Sequence, residues 1–195
     1  MGNVLKLIRY IEQDVDRLGF SLELINSRYL DIGDGAPSSG YFSESEKKIC
    51  VSLKSKDVVG ILAHEYSHFR QYVEDLEQWN YASKSYEKMY EWLDGKRTKH
   101  IQQHLKIVQA LELDCEKRAV NLMTKWNVGF DKKHYIRGAN AYMYYFEYLA
   151  ISRKWCNPHN TASNNQAILA IMPSTFLGDY TMTELIKNTF KNEGI

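Results

Sequence analysis

The sequence predicts an α+β fold in which a small antiparallel sheet is followed by a mainly helical layer. Patterns typical of strands are few and occur early in the 195-residue chain, between residues 20 and 53. Apolar residues elsewhere recur at spacings of three and four, which is the period of helices packed against a core. We expect one domain, with an α/β part at about residues 1–78 and a helical part at about 79–195.

The α/β part begins with a helix whose apolar residues recur at helical spacing until Gly19 ends the pattern. Ser55 is the predicted N-cap of a second helix, which extends to about residue 76 or 79. Between these helices we predict a strand, a loop rich in glycine and serine, and a strand–turn–strand unit, at residues 20–26, 31–40 and 41–53.

The helical part begins with a polar and aromatic segment at residues 79–97. Two long helices and then a loop are predicted at about residues 98–126, 134–155 and 156–165. Thr181 and Glu184 have the spacing of a capping box, which predicts a final short helix.

Composition narrows the class of protein. The net charge is +1 and the basic residues are scattered, so we expect no nucleic-acid partner. No run of about 18 apolar residues is present, so we expect no membrane span, and the N-terminus lacks the pattern of a signal peptide. The three cysteines are widely spaced without a CxxC pair, which favours reduced thiols and a cytoplasmic location.

The stretch AHEYSH at residues 63–68 carries the main chemical signal. On a helix, His64 and His68 lie one turn apart on the same face, so both imidazoles can reach one metal ion. Glu65 projects from the neighbouring face. Two histidines that hold zinc, with a glutamate that acts on a water, form the pattern of a zinc hydrolase.

A catalytic zinc site needs a third protein ligand, and the long helix after residue 98 offers one. Glu112 and Glu116 lie on the apolar stripe of that helix, where carboxylates are costly unless they are paired or bind a metal. We predict Glu112 as the third ligand of one zinc ion per chain, and Glu116 as the acceptor of a ring N–H from a zinc histidine. The alternative is that the two glutamates pair with lysine or arginine at a core edge.

LAHEYSH, followed by LELDCEKRA at residues 111–119, resembles the gluzincin metallopeptidases, and within them the small ImmA/IrrE-like and phage-encoded putative metallopeptidases. Their second motif begins with the ligand glutamate, matched here by Glu112, and ends near Ala119. The chain departs from it at Cys115, Glu116 and Arg118, where alanine, Asp or Asn, and an aromatic residue are usual. The resemblance implies a zincin-like fold with a sheet beside the active-site helix.

The same resemblance implies that the strand near residues 48–53 is the sheet edge to which an extended peptide would add. In the implied mechanism, zinc polarises a peptide carbonyl and a bound water, and Glu65 transfers the water's proton to the leaving amine. The substrate would be a protein or peptide. Tyr142 is the predicted oxyanion donor, and the other candidates for that role are Tyr145, His134 and His159.

Two other functions stay open. Another zinc amide hydrolase, of the peptide deformylase kind, would take its third ligand from an upstream cysteine, here Cys50. A non-catalytic zinc-stabilised interaction module would use the aromatic segment 79–92 to bind a partner, although Glu65 then has no role. His100 and His104 are also four residues apart, but Ile101 follows the first and we predict no site there. For Cys115 we favour the role of a small buried hydrophobic residue.

Overall fold

The computed structural model describes residues 2–31 and 37–195, and over these residues the protein is a mostly helical α+β structure. The α+β class predicted from the sequence is therefore confirmed. The helices are α1 (Gly2–Arg17), α2 (Val58–Glu74), α3 (Leu76–Leu93), α4 (Ile101–Trp126), α5 (Lys132–Ser152), α6 (Gln166–Ile171) and α7 (Glu184–Asn192), with a 3₁₀ turn at Ala162–Asn164. The strands are β1 (Ser21–Ile25), β2 (Leu30–Asp31), β3 (Pro37–Ser38), β4 (Gly40–Ser43) and β5 (Lys48–Ser52).

The main sheet is mixed, so the prediction of an antiparallel sheet was wrong. Its order is β1-β5-β4, with β1 parallel to β5 and β4 antiparallel to β5. The β4–β5 pair is the predicted strand–turn–strand unit. The parallel pair is possible because the chain between Ile25 and Lys48 is long enough for a crossover connection.

The strand near residues 48–53 is the middle strand of this sheet and not its edge, which corrects the expectation drawn from the family resemblance. β1 pairs with one side of β5, starting from Ser21 opposite Lys48, and β4 pairs with the other side. Both rows of backbone hydrogen-bonding groups on β5 are thus used within the sheet. Of the predicted 31–40 loop, residues 32–36 lie outside the described residues, and its flanks form the two-residue strands β2 and β3.

Two helix starts differ from the predictions. Asp57, not Ser55, is the N-cap of α2, because its carboxylate accepts a hydrogen bond from the backbone N–H of Gly60. The hydroxyl of Ser55 instead donates to the carbonyl of Ser52. Thr183, not Thr181, is the N-cap of α7, and Glu184 is the first residue of that helix. Competing caps two residues apart cannot be ranked from sequence alone, because the choice depends on where the preceding chain enters the helix.

The described residues divide into two compact units. Unit 1 contains the described residues up to Leu76 together with Cys115–Phe130, and unit 2 contains Glu77–Asp114 and Asp131–Ile195. The first part of α4 thus belongs to unit 2 and the last part to unit 1. The predicted organisation as a single domain with a boundary near residue 78 stays a prediction.

Unit 1 is built around α2, which packs on strands β4 and β5. Its core joins one face of α1, the middle of β5 and one face of α2, through the buried residues Leu7, Ile11, Val15, Ile49, Val51, Leu62, Tyr66 and Phe69. This core fixes the rotation of α2 about its axis, and so it fixes the direction in which the histidine motif points.

Unit 2 is helical and has its own core, to which α5 contributes more buried residues than any other described element. Asn140, which is fully buried on α5, donates to the carbonyls of Pro173 and Thr175 and accepts from the Tyr180 hydroxyl. These bonds hold the irregular segment at residues 173–180 against α5. None of the described helices is long and apolar enough to cross a membrane.

Candidate metal centre

The two histidines of the motif face each other on α2. The Nε2 atoms of His64 and His68 lie 3.1 Å apart, and their rings are nearly perpendicular, at 85°. His68 is buried and the side chain of His64 is 21% exposed. The helical spacing of four residues accounts for the shared face, but it does not by itself make the two Nε2 atoms converge.

The opposite nitrogen of each ring contacts an oxygen that accepts hydrogen bonds. His64 Nδ1 lies 3.3 Å from Glu116 Oε1, and His68 Nδ1 lies 2.9 Å from Gln71 Oε1. A carboxylate or amide oxygen cannot donate, so each Nδ1 carries the hydrogen of the neutral ring. When both rings are neutral, the two Nε2 atoms direct lone pairs toward the same point, and when His64 is protonated its Nε2–H donates to Nε2 of His68. Oxygen atoms that accept a hydrogen bond from Nδ1 orient metal-binding histidines in the same way.

Glu116 favours positive charge at His64. Burial lowers the pKa of His64, but the charges and hydrogen bonds of Cys115 and Glu116 outweigh it and raise that pKa well above its ordinary value. Glu116 is itself buried, and its Oε2 atom has no hydrogen-bond partner among the described residues. A proton on His64, or a cation beside it, balances this buried carboxylate.

Cys115 belongs to the same cluster. Its Sγ atom donates to the carbonyl of His64 at 3.2 Å, and the side chain is fully buried. A ligand atom from each of His64, His68 and Cys115 lies within 4.8 Å of the other two. The sequence favoured a hydrophobic role for this residue, and the structure shows that its sulfur atom also lies beside two imidazole nitrogens.

Glu65 lies on α2 next to His64 and is half-buried against strand β4. Gly40 on β4 makes this close approach possible, because a Cβ atom built there would be 3.1 Å from Glu65 Cγ and would overlap Ile61. The strand thus limits the conformations of the predicted proton-transfer residue.

The other predicted ligand, Glu112, belongs to unit 2, one turn before Glu116 on α4. Its side chain is buried, and its Oε1 atom accepts a hydrogen bond from the hydroxyl of Tyr86 on α3. Tyr142 is also in unit 2, partly buried, with its ring 5.0 Å from that of Phe146. Burial and then the charges of Glu112 and Tyr142 raise the pKa of Tyr86 well above its ordinary value.

Each of the other residues considered from the sequence as a metal ligand or oxyanion donor has its own contacts and exposure. Cys50 on β5 donates from its thiol to Glu23, and burial raises the pKa of this thiol. The hydroxyl of Tyr145 donates to the carbonyl of Lys154 and accepts from the N–H of Cys156. His134 and His159 are exposed, and the Nδ1 atom of His104 lies 3.2 Å from the Ser85 hydroxyl.

Three residues with polar contacts at this cluster or at Glu112 were not predicted from the sequence: Gln71, Cys115 and Tyr86. Gln71 follows His68 by three residues on a helix, so the contact between their side chains could have been predicted from helical spacing. Cys115 and Tyr86 were not, because their contacts depend on how separate helices pack.

The donor set fits a divalent transition metal such as zinc, for which two imidazole nitrogens with a thiolate or carboxylate are ordinary ligands. Comparisons with known proteins identify no relatives: no protein-family model, no curated protein and no solved structure matches the chain.

Proposed function

We propose that the protein is a zinc-dependent metallopeptidase of the gluzincin type, with a zincin-like fold, which hydrolyses peptide bonds of a protein substrate. The observation that carries the proposal is the convergence of the two Nε2 atoms at 3.1 Å while Glu116 and Gln71 hold the Nδ1 atoms. Two lone pairs that face each other at this distance repel unless a proton or a metal cation lies between them. His64, His68 and Glu112 would hold one zinc ion.

A zinc ion held by these residues would supply Lewis acidity to a substrate carbonyl and to a water molecule. Glu65, which directly follows His64, accepts the proton of the attacking water and delivers it to the leaving amine. Glu116 keeps the proton of His64 on Nδ1. Tyr142 donates a hydrogen bond to the oxyanion in this proposal.

Cys115 favours a second candidate, because its sulfur already lies with the two imidazoles. Two histidines and a cysteine are the donor set of another zinc amide hydrolase, with the cysteine downstream of the motif and not upstream. If Glu112 and Cys115 were both ligands, four protein ligands would close the site, as in structural zinc centres. The protein would then be a non-catalytic, zinc-stabilised interaction module.

Zinc content decides among these candidates. We would purify the wild type with the variants Glu112→Ala, Cys115→Ala and Glu65→Gln, and measure zinc per chain by elemental mass spectrometry. The proposal expects about one zinc in the wild type, in Cys115→Ala and in Glu65→Gln, and a large loss in Glu112→Ala. Loss in Cys115→Ala alone would support the amide hydrolase, and loss in both would support the closed site. A wild type without zinc would refute the metal proposal.

The proposed substrate is a cytoplasmic protein or peptide, without a nucleic acid or a membrane as partner. None of the three cysteines, all of which lie in the described residues, forms a disulfide bond, which is consistent with a reducing compartment. Glu65→Gln keeps the shape of the glutamate but cannot take a proton from water. This variant is therefore the one to use as a trap for bound substrate, with cleavage by the wild type as the second readout.

A further inference from the structure

Unit 1 contains a cleft of about 310 Å³ between α1, α2 and the last part of α4. This volume is at the lower end of the range for small-molecule sites. Neither His64 nor His68 is among the residues that line it. Arg70, which does line it, lies about 120° around α2 from His64 and about 160° from His68, at 100° per residue. The cleft is therefore separate from the candidate metal centre.

The lining of the cleft is positively charged. It contains three cationic side chains, Arg70, Arg118 and Lys125, and one carboxylate, Glu74, which leaves a net charge of +2. Glu74 joins the two arginines, because its Oε1 accepts from Arg70 Nη2 at 2.7 Å and its Oε2 accepts from Arg118 Nη1 at 2.5 Å. Asp14 also pairs with Arg70, but it does not line the cleft. One carboxylate thus holds two guanidinium groups close together without neutralising both.

Two of these cations have hydrogen-bond donors to offer to a ligand. A guanidinium group has five N–H donors. Arg70 uses three of them, two toward Glu74 and one toward Asp14, so two donate to no described residue. The ammonium of Lys125 is exposed and forms no ion pair within the part of the chain that the structure describes. An anion in the cleft could therefore accept from Arg70 and Lys125 while the bonds to Glu74 and Asp14 stay in place.

The uncharged part of the lining includes an aromatic ring. Tyr10 is 36% exposed, and its ring packs on that of Trp126 at a centroid distance of 5.1 Å. Leu122 lines the same cleft. A ring held in this way is a surface on which a planar or apolar group can pack.

We propose that this cleft binds the phosphate group of a small molecule, with the phosphate at Arg70, Arg118 and Lys125 and the rest of the molecule against Tyr10. A phosphate monoester carries a charge of about −1.5 to −2 at pH 7, which balances the net charge of the lining. Guanidinium groups bind phosphate oxygens through charge-assisted hydrogen bonds. The proposal does not depend on the proposed function, because it uses none of the predicted metal ligands.

The test is isothermal titration calorimetry of the full-length protein with phenyl phosphate, inorganic phosphate and benzyl alcohol. We expect both phosphates to bind and the uncharged alcohol not to bind. Tighter binding of phenyl phosphate than of inorganic phosphate supports an organic phosphate as the ligand, and equal binding supports free phosphate. Failure of both phosphates to bind at millimolar concentration overturns the proposal.

Three variants locate the bound phosphate. Lys125→Gln and Arg118→Gln each remove one charge from the cleft, and Lys117→Gln is the matched control, because Lys117 is exposed on the same helix and does not line the cleft. We expect Lys125→Gln to weaken phosphate binding about 5-fold and Lys117→Gln to leave it unchanged. Thermal unfolding checks that each variant is folded.

Phosphate bound at a zinc ion would behave differently in these variants. Its affinity would be the same in Lys125→Gln and Arg118→Gln as in the wild type, and that result overturns the assignment to the cleft. A wild type that contains no zinc refutes the proposed function but leaves this proposal intact. Loss of phosphate binding in Lys125→Gln with an unchanged zinc content supports two separate sites.

Discussion

Replacing Asp14 by asparagine is expected to weaken the contact between α1 and α2 in a pH-dependent way. Asp14 Oδ2 accepts hydrogen bonds from the Tyr66 hydroxyl at 2.7 Å and from Arg70 Nη1 at 2.9 Å, and Oδ1 accepts from Arg17 Nη2 at 2.7 Å. Tyr66 lies inside the histidine motif. The carboxylate of Asp14 therefore ties the first helix to the turn of α2 that carries the candidate metal centre.

The expected cost follows from the exposure of each partner. The side chain of Arg17 is 69% exposed, so its ion pair contributes roughly 0–1 kcal/mol. Tyr66 is buried and Arg70 is 29% exposed, and hydrogen bonds to a charged group contribute about 1.5–3 kcal/mol each. Asparagine keeps the size and one acceptor oxygen, so part of this is retained. We expect a loss of about 2–3 kcal/mol in the free energy of unfolding at pH 7.

The pH dependence gives the sharper test. Burial raises the pKa of Asp14, but the hydrogen bonds from Tyr66, Arg17 and Arg70 outweigh it, so the pKa is lowered from its ordinary value of 3.8. A group with a lowered pKa in the folded state stabilises the protein above its unfolded pKa. This stability is lost as the pH falls through the folded pKa. The difference between wild type and Asp14→Asn should therefore shrink below about pH 4.

Urea unfolding followed by circular dichroism at pH 7, 5 and 3 measures this difference. Asp16→Asn is the matched control, because Asp16 lies on the same helix and is exposed. It should change the free energy of unfolding by less than about 0.5 kcal/mol. An Asp14→Asn cost no larger than that of the control at pH 7, or an equal cost at pH 3 and pH 7, would contradict the role given to the Asp14 carboxylate.

Three further predictions concern zinc and the two units. Zinc at 100 times its dissociation constant should raise the free energy of unfolding by about 2.7 kcal/mol over the chelator-treated protein, and an equal melting temperature in both forms would contradict the site. Asn140→Ala should cost about 2–4 kcal/mol, because two backbone carbonyls and the Tyr180 hydroxyl each lose a hydrogen bond to Asn140. A cost below about 1 kcal/mol in thermal or urea unfolding would count against that role. Gly40→Ala should cost about 1–3 kcal/mol through overlap with α2, whereas Gly178→Ala, where nothing lies within 4 Å, should cost little; similar melting temperatures for both would show that β4 can move.

The spacing of residues along the sequence was enough to predict the features that depend only on residues a few positions apart. The shared face of His64 and His68 follows from the helical period alone, and the same period placed Glu116 on the buried side of α4. The pairing of β1 with β5 could not be predicted in this way. It joins Ser21 to Lys48 across a long connection, and side chains alternate along a strand in the same way in parallel and antiparallel pairs.

Cys115 shows the limit of residue-type reasoning. A cysteine on an apolar helix face is usually a small hydrophobic residue, and its full burial agrees with that. Its possible role as a donor depends on the rotation of α4 relative to α2 within unit 1, which brings Sγ within 3.2 Å of the carbonyl of His64. No periodicity in either helix contains this information.

A metal site differs from a chance histidine pair in the orientation of the two rings. A spacing of four residues lets two imidazoles share a face, but each ring can still rotate so that its Nε2 atom points elsewhere. The rings are oriented by the acceptors at Nδ1, which are Glu116 from α4 at 3.3 Å and Gln71 from α2 at 2.9 Å. Gln71 is neutral, so it orients His68 without adding charge, whereas Glu116 brings a buried negative charge to His64. The metal proposal therefore depends on these two acceptors as much as on the motif itself. By accepting from Nδ1, they leave the Nε2 atoms of His64 and His68 directed at one point.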